Sequence, residues 1–110
     1  GWDYPMIAMT ATRLGRPTDA IDILLRDGPN NRYLPNGHCP QRSDVAAVAG
    51  AASAPGATRT EIAVYLPANG AFLSAVALRV AGWDGCTQPH PGFPTNGAWQ
   101  VRAEGWQPLP

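Results

Sequence analysis

The chain has 110 residues, with eight basic and eight acidic side chains, a net charge of zero, and arginine at every basic position. That length bounds it to one domain, and the neutral balance excludes the electrostatic footprint of a nucleic-acid binder or a basic membrane-surface protein. No apolar run approaches the ~20 residues that span a bilayer, and Gly1-Trp2-Asp3-Tyr4-Pro5 lacks the basic and apolar regions of a signal peptide. In chain order, residues 3–14 read as a helix: Asp3 suits the N-cap, Pro5 the first turn, and Gly15 the stop. Ile7, Ala11 and Leu14 fall at i, i+4 and i+7 and make one apolar stripe, with Met6 and Met9 beside it.

A second helix is predicted from about Pro17 to Asp27, with Ile21, Leu24 and Leu25 on one face and Gly28-Pro29 as its end. Only Gly15-Arg16 separates the two helices, so they are expected to pair as an antiparallel αα-hairpin. From Gly28 to Asp44 the composition turns to Pro, Gly, Asn and Arg, which reads as a long ordered loop. Residues 45–60 are Ala-rich, but Gly50, Ser53, Pro55 and Gly56 break the run, so a flexible insertion is expected there. Residues 62–66 read as a short strand or extended entry segment ended by Pro67. A third helix is predicted with Asn69 as cap, Leu73, Val76, Ala77 and Val80 on one face, and Gly82 as stop. Its small residues permit close helix approach, and Arg79 interrupts its apolar run. Residues 83–97 read as loop. Trp99, Val101 and Ala103 then alternate with Gln100, Arg102 and Glu104, the pattern of a half-buried strand.

Leu, Ile, Val and Phe together number 20 of 110 residues, with 12 glycines and 12 prolines alongside. A core that thin lies near the level at which compact structure fails, and the chain has no initiator methionine. It is therefore expected to be a piece of a larger protein.

If the third helix packs next to the hairpin, its start joins the start of the first helix and the loop from residue 28 at one end. Trp2, Asp3, Tyr4, Tyr33, Asn36, His38, Gln41, Tyr65 and Asn69 then share a rim. Aromatic rings beside amides and carboxylates suit carbohydrate, since rings stack on C–H faces while polar groups bond hydroxyls. Each residue also has a local reading: Asp3 as a helix cap, Trp2 and Tyr4 as packing, Asn36-Gly37 as a turn pair. His38, in a loop framed by Pro35, Gly37 and Pro40, can bind a hydroxyl, transfer a proton, or bond a loop carbonyl. Glu61 and Glu104 are the only glutamates, and no spacing selects a carboxylate pair of the kind glycoside hydrolysis uses.

Cys39 and Cys86 leave a disulfide and two free thiols both open, with free thiols the expectation in the absence of any sign of an oxidising compartment. His38-Cys39 and Cys86-x3-His90 offer four zinc-type ligands, yet neither pair has the C-x2-C form, so no metal site is expected. A small zinc-binding module nevertheless stands as one alternative class.

The segments Tyr4–Ala11, Tyr33-Leu34-Pro35-Asn36-Gly37-His38, Tyr65-Leu66-Pro67-Ala68-Asn69-Gly70, Gly92-Phe93-Pro94 and Trp99–Gly105 together resemble a known pattern. They are similar to the C-terminal part of bacterial six-hairpin glycosidases with an (α/α)6 toroid, of the family 65 and family 95 type. Cys39 stands where that pattern has asparagine, and Ala68 and Ala71 stand where it has glycines. The resemblance implies a mainly α fold. Residues 1–82 would supply the toroid's terminal helical hairpins, with 45–60 as an insertion, and 83–110 a C-terminal loop with a short β segment. It implies a fragment of a glycoside hydrolase whose general acid comes from earlier in the chain, so this piece supplies rim residues and not a complete active site. On that reading His38, Asn36, Asn69, Tyr4 and Asp3 contact sugar. No cofactor is implied, and the partners are a carbohydrate substrate and the remainder of the parent chain, not nucleic acid or membrane. The location is periplasmic or secreted if the parent carries a signal peptide. A non-catalytic carbohydrate-binding or scaffold module is the other alternative class.

Overall fold

A computed structural model describes residues 1–42 and 61–110. The insertion expected over 45–60 lies outside the described residues. The fold is mainly helical, with α1 at Asp3–Arg13, α2 at Pro17–Leu24 and α3 at Leu66–Ala81. The two-residue strands β1 (Gln41–Arg42) and β2 (Glu61–Ile62) pair antiparallel, Gln41 with Ile62 and Arg42 with Glu61. No helix among the described residues is long and apolar enough to cross a membrane.

Local chemistry explains the helix ends. Gly15, at φ 70°, closes α1 in a Schellman turn, in which the Arg16 N–H donates to Ala11 O at 2.9 Å and the Gly15 N–H to Thr12 O at 3.1 Å. Pro17 then opens α2 in its first turn. Three expected boundaries move. Asp3 is the first helical residue of α1 and not its cap; Trp2 holds that position without a side-chain bond, while the Asp3 carboxylate accepts from the Gly1 nitrogen at 2.8 Å. The second helix stops at Leu24, three residues short of Asp27. The Arg26 carbonyl is taken by Asn31 Nδ2 at 2.7 Å, and the Arg26 N–H makes a tighter i→i−3 bond to Ile23 O. Asn69 lies inside α3, because Pro67 starts that helix a turn earlier, with Tyr65 as its cap.

α1 packs against both α2 and α3. The buried cluster is Ala8, Ala11, Ala20, Leu24 and Ala75, flanked by Met9, Ile23, Phe72 and Val76. Four alanines at the centre let the helix axes approach closely, so one leucine suffices to fill the space between them. The outer helix faces stay apolar and uncovered, with Ile7 on α1, Leu14 just after it, Leu25 after α2, and Leu66 and Leu73 on α3 all exposed.

The strand expected over Trp99–Ala103 does not form. Alternation decides which side chains turn inward, but a strand also needs a neighbour's backbone, and among the described residues this segment has none. A single parallel bridge joins Trp83 and Leu109 instead: the Leu109 N–H donates to Gly82 O at 3.0 Å and the Asp84 N–H to Leu109 O at 2.8 Å. Arg13 reaches the same corner, with its guanidinium 5.1 Å from the centre of the Trp83 ring. Arg79 is buried at the end of α3. Its Nε and Nη2 donate to Gly92 O at 3.2 and 2.8 Å, and its guanidinium lies 4.7 Å from the centre of the Phe93 ring. Burial lowers its pKa.

Candidate functional site

The loop from Gly28 to Gln41 is held between the starts of α1 and α3. Tyr33 donates its hydroxyl to Ala68 O at 3.1 Å, Asn69 Nδ2 donates to Gly37 O at 2.8 Å, and the Tyr65 N–H donates to Cys39 O at 3.0 Å. Gly1 sits so close that a first side-chain carbon there would lie 3.2 Å from Gln41 Oε1 and 3.3 Å from the Tyr65 ring. On Gly28 such a carbon would lie 3.3 Å from the Tyr4 hydroxyl. These contacts bring Tyr4, Tyr33, Gln41, Tyr65 and Asn69 against the loop at one end of the fold.

Its members differ in what they are free to do. The Asn36 side-chain oxygen accepts from the His38 N–H at 3.1 Å, an Asx turn that fixes the loop tip. Asn69 ties α3 to that tip through Gly37. His38 is exposed, and among the described residues its ring has no hydrogen-bond partner, so the imidazole is available to a ligand. Tyr4 is half-buried against Gly28. The Asp3 carboxyl is exposed at the start of α1.

Among the described residues, three side-chain oxygens near this loop, Asn31 Oδ1, Gln41 Oε1 and Asn69 Oδ1, are buried without a hydrogen-bond partner. A buried acceptor left unpaired costs about 1–3 kcal/mol. Asn31, only 6% exposed, carries no sequence signal: Asn30-Asn31 reads as turn composition, and only the fold shows its amide bridging back to Arg26. Cys39 is buried, and its thiol donates to Asn30 O at 3.8 Å. Cys39 and Cys86 are both free thiols. Among the described residues no group of three His, Cys, Asp or Glu side chains is placed to hold a metal ion.

Two depressions border the loop. One, of about 430 Å³, is lined by Leu24, Leu25, Asn31, Tyr33 and Phe72. The other, of about 530 Å³, is lined by Gly28, Pro29, Leu34 and Pro40. Asp27 and Arg32 belong to both and pair through two hydrogen bonds of 2.9 and 2.6 Å, which lowers the Asp27 pKa. Burial, aided by the neighbouring Cys39, pushes Tyr33 up to about 12. Its neutral form is the one the fold favours. That contribution to stability is complete below the ordinary tyrosine value of about 10 and is lost as pH rises through about 12. In an alkaline titration followed at 295 nm, the phenolate signal that Tyr33→Phe removes should therefore rise near pH 12; a component rising near 10 would place Tyr33 in open solvent.

No protein-family model, curated protein or solved structure matches the chain.

Proposed function

We propose that these residues form the last helical hairpins and following loop of an (α/α)6-toroid glycoside hydrolase of the family 65 or family 95 type, and that they supply part of its substrate rim. The strongest support is the exposed His38 imidazole, without a ring hydrogen bond among the described residues, on a loop that Asn69 ties to the start of α3. A neutral hydroxylated substrate needs no net charge to attract it. On this reading His38 contacts the substrate directly. Asn36 and Asn69 hold the loop that presents it while offering amide groups, and Tyr4 and Asp3 border the site from α1. The uncovered apolar faces carried by Ile7, Leu14, Leu66 and Leu73 are where the preceding hairpins of the parent chain would pack.

Two measurements test this. The coding sequence upstream of Gly1 should encode several further helical hairpins, and their absence would remove the toroid. In the natural full-length protein, His38→Ala should lower kcat/KM on a glycoside by about tenfold, the loss of one substrate hydrogen bond. Unchanged turnover and sugar affinity would take His38 out of the site.

A further inference from the structure

The opposite end of α3 carries a second constellation. Val80 lies eleven residues beyond Asn69 on the same helix, or about 16 Å at a rise of 1.5 Å per residue. Packed there is His90, the one non-glycine residue with positive φ, 49°, among the described residues. Three bonds enforce that backbone: the Gly92 N–H donates to Arg79 O at 3.0 Å, the Phe93 N–H to His90 O at 3.1 Å, and His90 Nδ1 lies 2.7 Å from Val80 O. A carbonyl only accepts, so Nδ1 carries the hydrogen, and in the neutral ring Nε2 is left as an acceptor. The positive φ and the bond to Val80 O together fix both the ring's tautomer and the direction in which Nε2 is presented.

His90 is exposed and stands between two depressions, of about 290 and 260 Å³. The first is bounded by Trp106 and the second by Trp99, rings that remain 43% and 45% exposed. Trp99 is braced by Phe93 at 5.3 Å between ring centres, and Phe93 by the buried Arg79 guanidinium, so this platform is anchored to α3. Among the described residues no arginine or carboxylate lines either depression. A charged ligand would find no complement there. A neutral ligand with C–H faces and hydroxyls would find an aromatic ring on each side and an acceptor between them.

We propose that His90, Trp99 and Trp106 form a binding site for a neutral oligosaccharide, one sugar unit against each indole and a hydroxyl donating to His90 Nε2. This site is separate from the His38 rim and stands whether or not that rim serves catalysis.

The test is calorimetric titration of the natural full-length protein with cellohexaose, maltohexaose, xylohexaose and a proline-rich decapeptide. Two variants are compared with wild type. Trp106→Ala changes an exposed ring. His90→Asn keeps a residue tolerant of positive φ and an amide donor toward Val80 O while removing Nε2. At least one hexasaccharide should bind saturably, with Kd raised about tenfold or more in each variant. Binding by none of the three saccharides would overturn the proposal, as would affinity unaltered in both variants. Binding of the decapeptide alone would assign the site to an extended peptide and likewise overturn the proposal.

Discussion

Replacing Gly92 with alanine should destabilise the fold by about 3 kcal/mol or more, at the upper end of the effect of overpacking a filled site. The added carbon would lie 2.2 Å from Arg79 Cβ, 2.4 Å from its Cγ and 2.6 Å from its Cα, and the last of these is backbone that no rotamer change can move. Relief requires residues 90–93 to lift away from α3. That motion breaks the Gly92 N–H bond to Arg79 O and strips the buried guanidinium of the carbonyl that receives both its bonds. A charge left buried without a partner adds its own penalty. The expected result is a lower urea midpoint and new protease sensitivity near residues 88–94. Gly70→Ala is the matched control: nothing lies within 4 Å of the added carbon, and within a helix alanine is favoured over glycine by about 0.5–1 kcal/mol. A Gly92→Ala midpoint equal to wild type would mean that the Arg79 clamp is not a structural tie.

Leu24→Ala should cost about 3 kcal/mol, while Leu24→Met should cost less than about 1.5 kcal/mol. Leu24 is the only large side chain in the buried cluster itself, whose other members are alanines, and Met9, Ile23, Phe72 and Val76 only flank it. Relaxation is limited further because the helices already meet through Ala8, Ala11, Ala20 and Ala75, and closer approach would bring backbones into collision. One route softens the loss. Leu24 lines the depression of about 430 Å³ beside Tyr33 and Phe72, so truncation enlarges a space open to water instead of sealing an empty one. Chemical unfolding followed by tryptophan fluorescence reads both variants, and a loss under about 1 kcal/mol for Leu24→Ala would show that the core lies elsewhere.

Elements fixed by nearby residues were the legible part of the sequence. Gly15, Pro17 and Gly82 mark helix ends through their own backbone preferences, and the short turn between the first two helices dictates the hairpin and the shared rim. Elements that depend on a distant partner were not. Alternation at Trp99–Ala103 reports a face but cannot supply a neighbouring strand. The end of α2 is set by Asn31 reaching back to Arg26, which leaves no periodic trace. Asn69 was misplaced for a nearer reason, since Pro67 in the first turn outranks a later cap residue. Arg79 stood out as a charge in an apolar helix, but its purpose required knowing that Gly92 would fold over it. At the rim, the sequence placed His38 in a loop and could not say that its ring would be left open while Asn36 and Asn69 became ties.

The antiparallel pair of Gln41–Arg42 with Glu61–Ile62 also has a consequence for how this chain can change over evolutionary time. It joins the two ends of the intervening stretch into a stem, next to the bond between Tyr65 and Cys39. For a stretch closed at its base, the entropy lost on closure grows only with the logarithm of its length, about 0.6 kcal/mol for each doubling. A change in the number of residues between the stem's two strands is thereby decoupled from the loop that carries His38, whose ties run to Tyr65 and Asn69 instead.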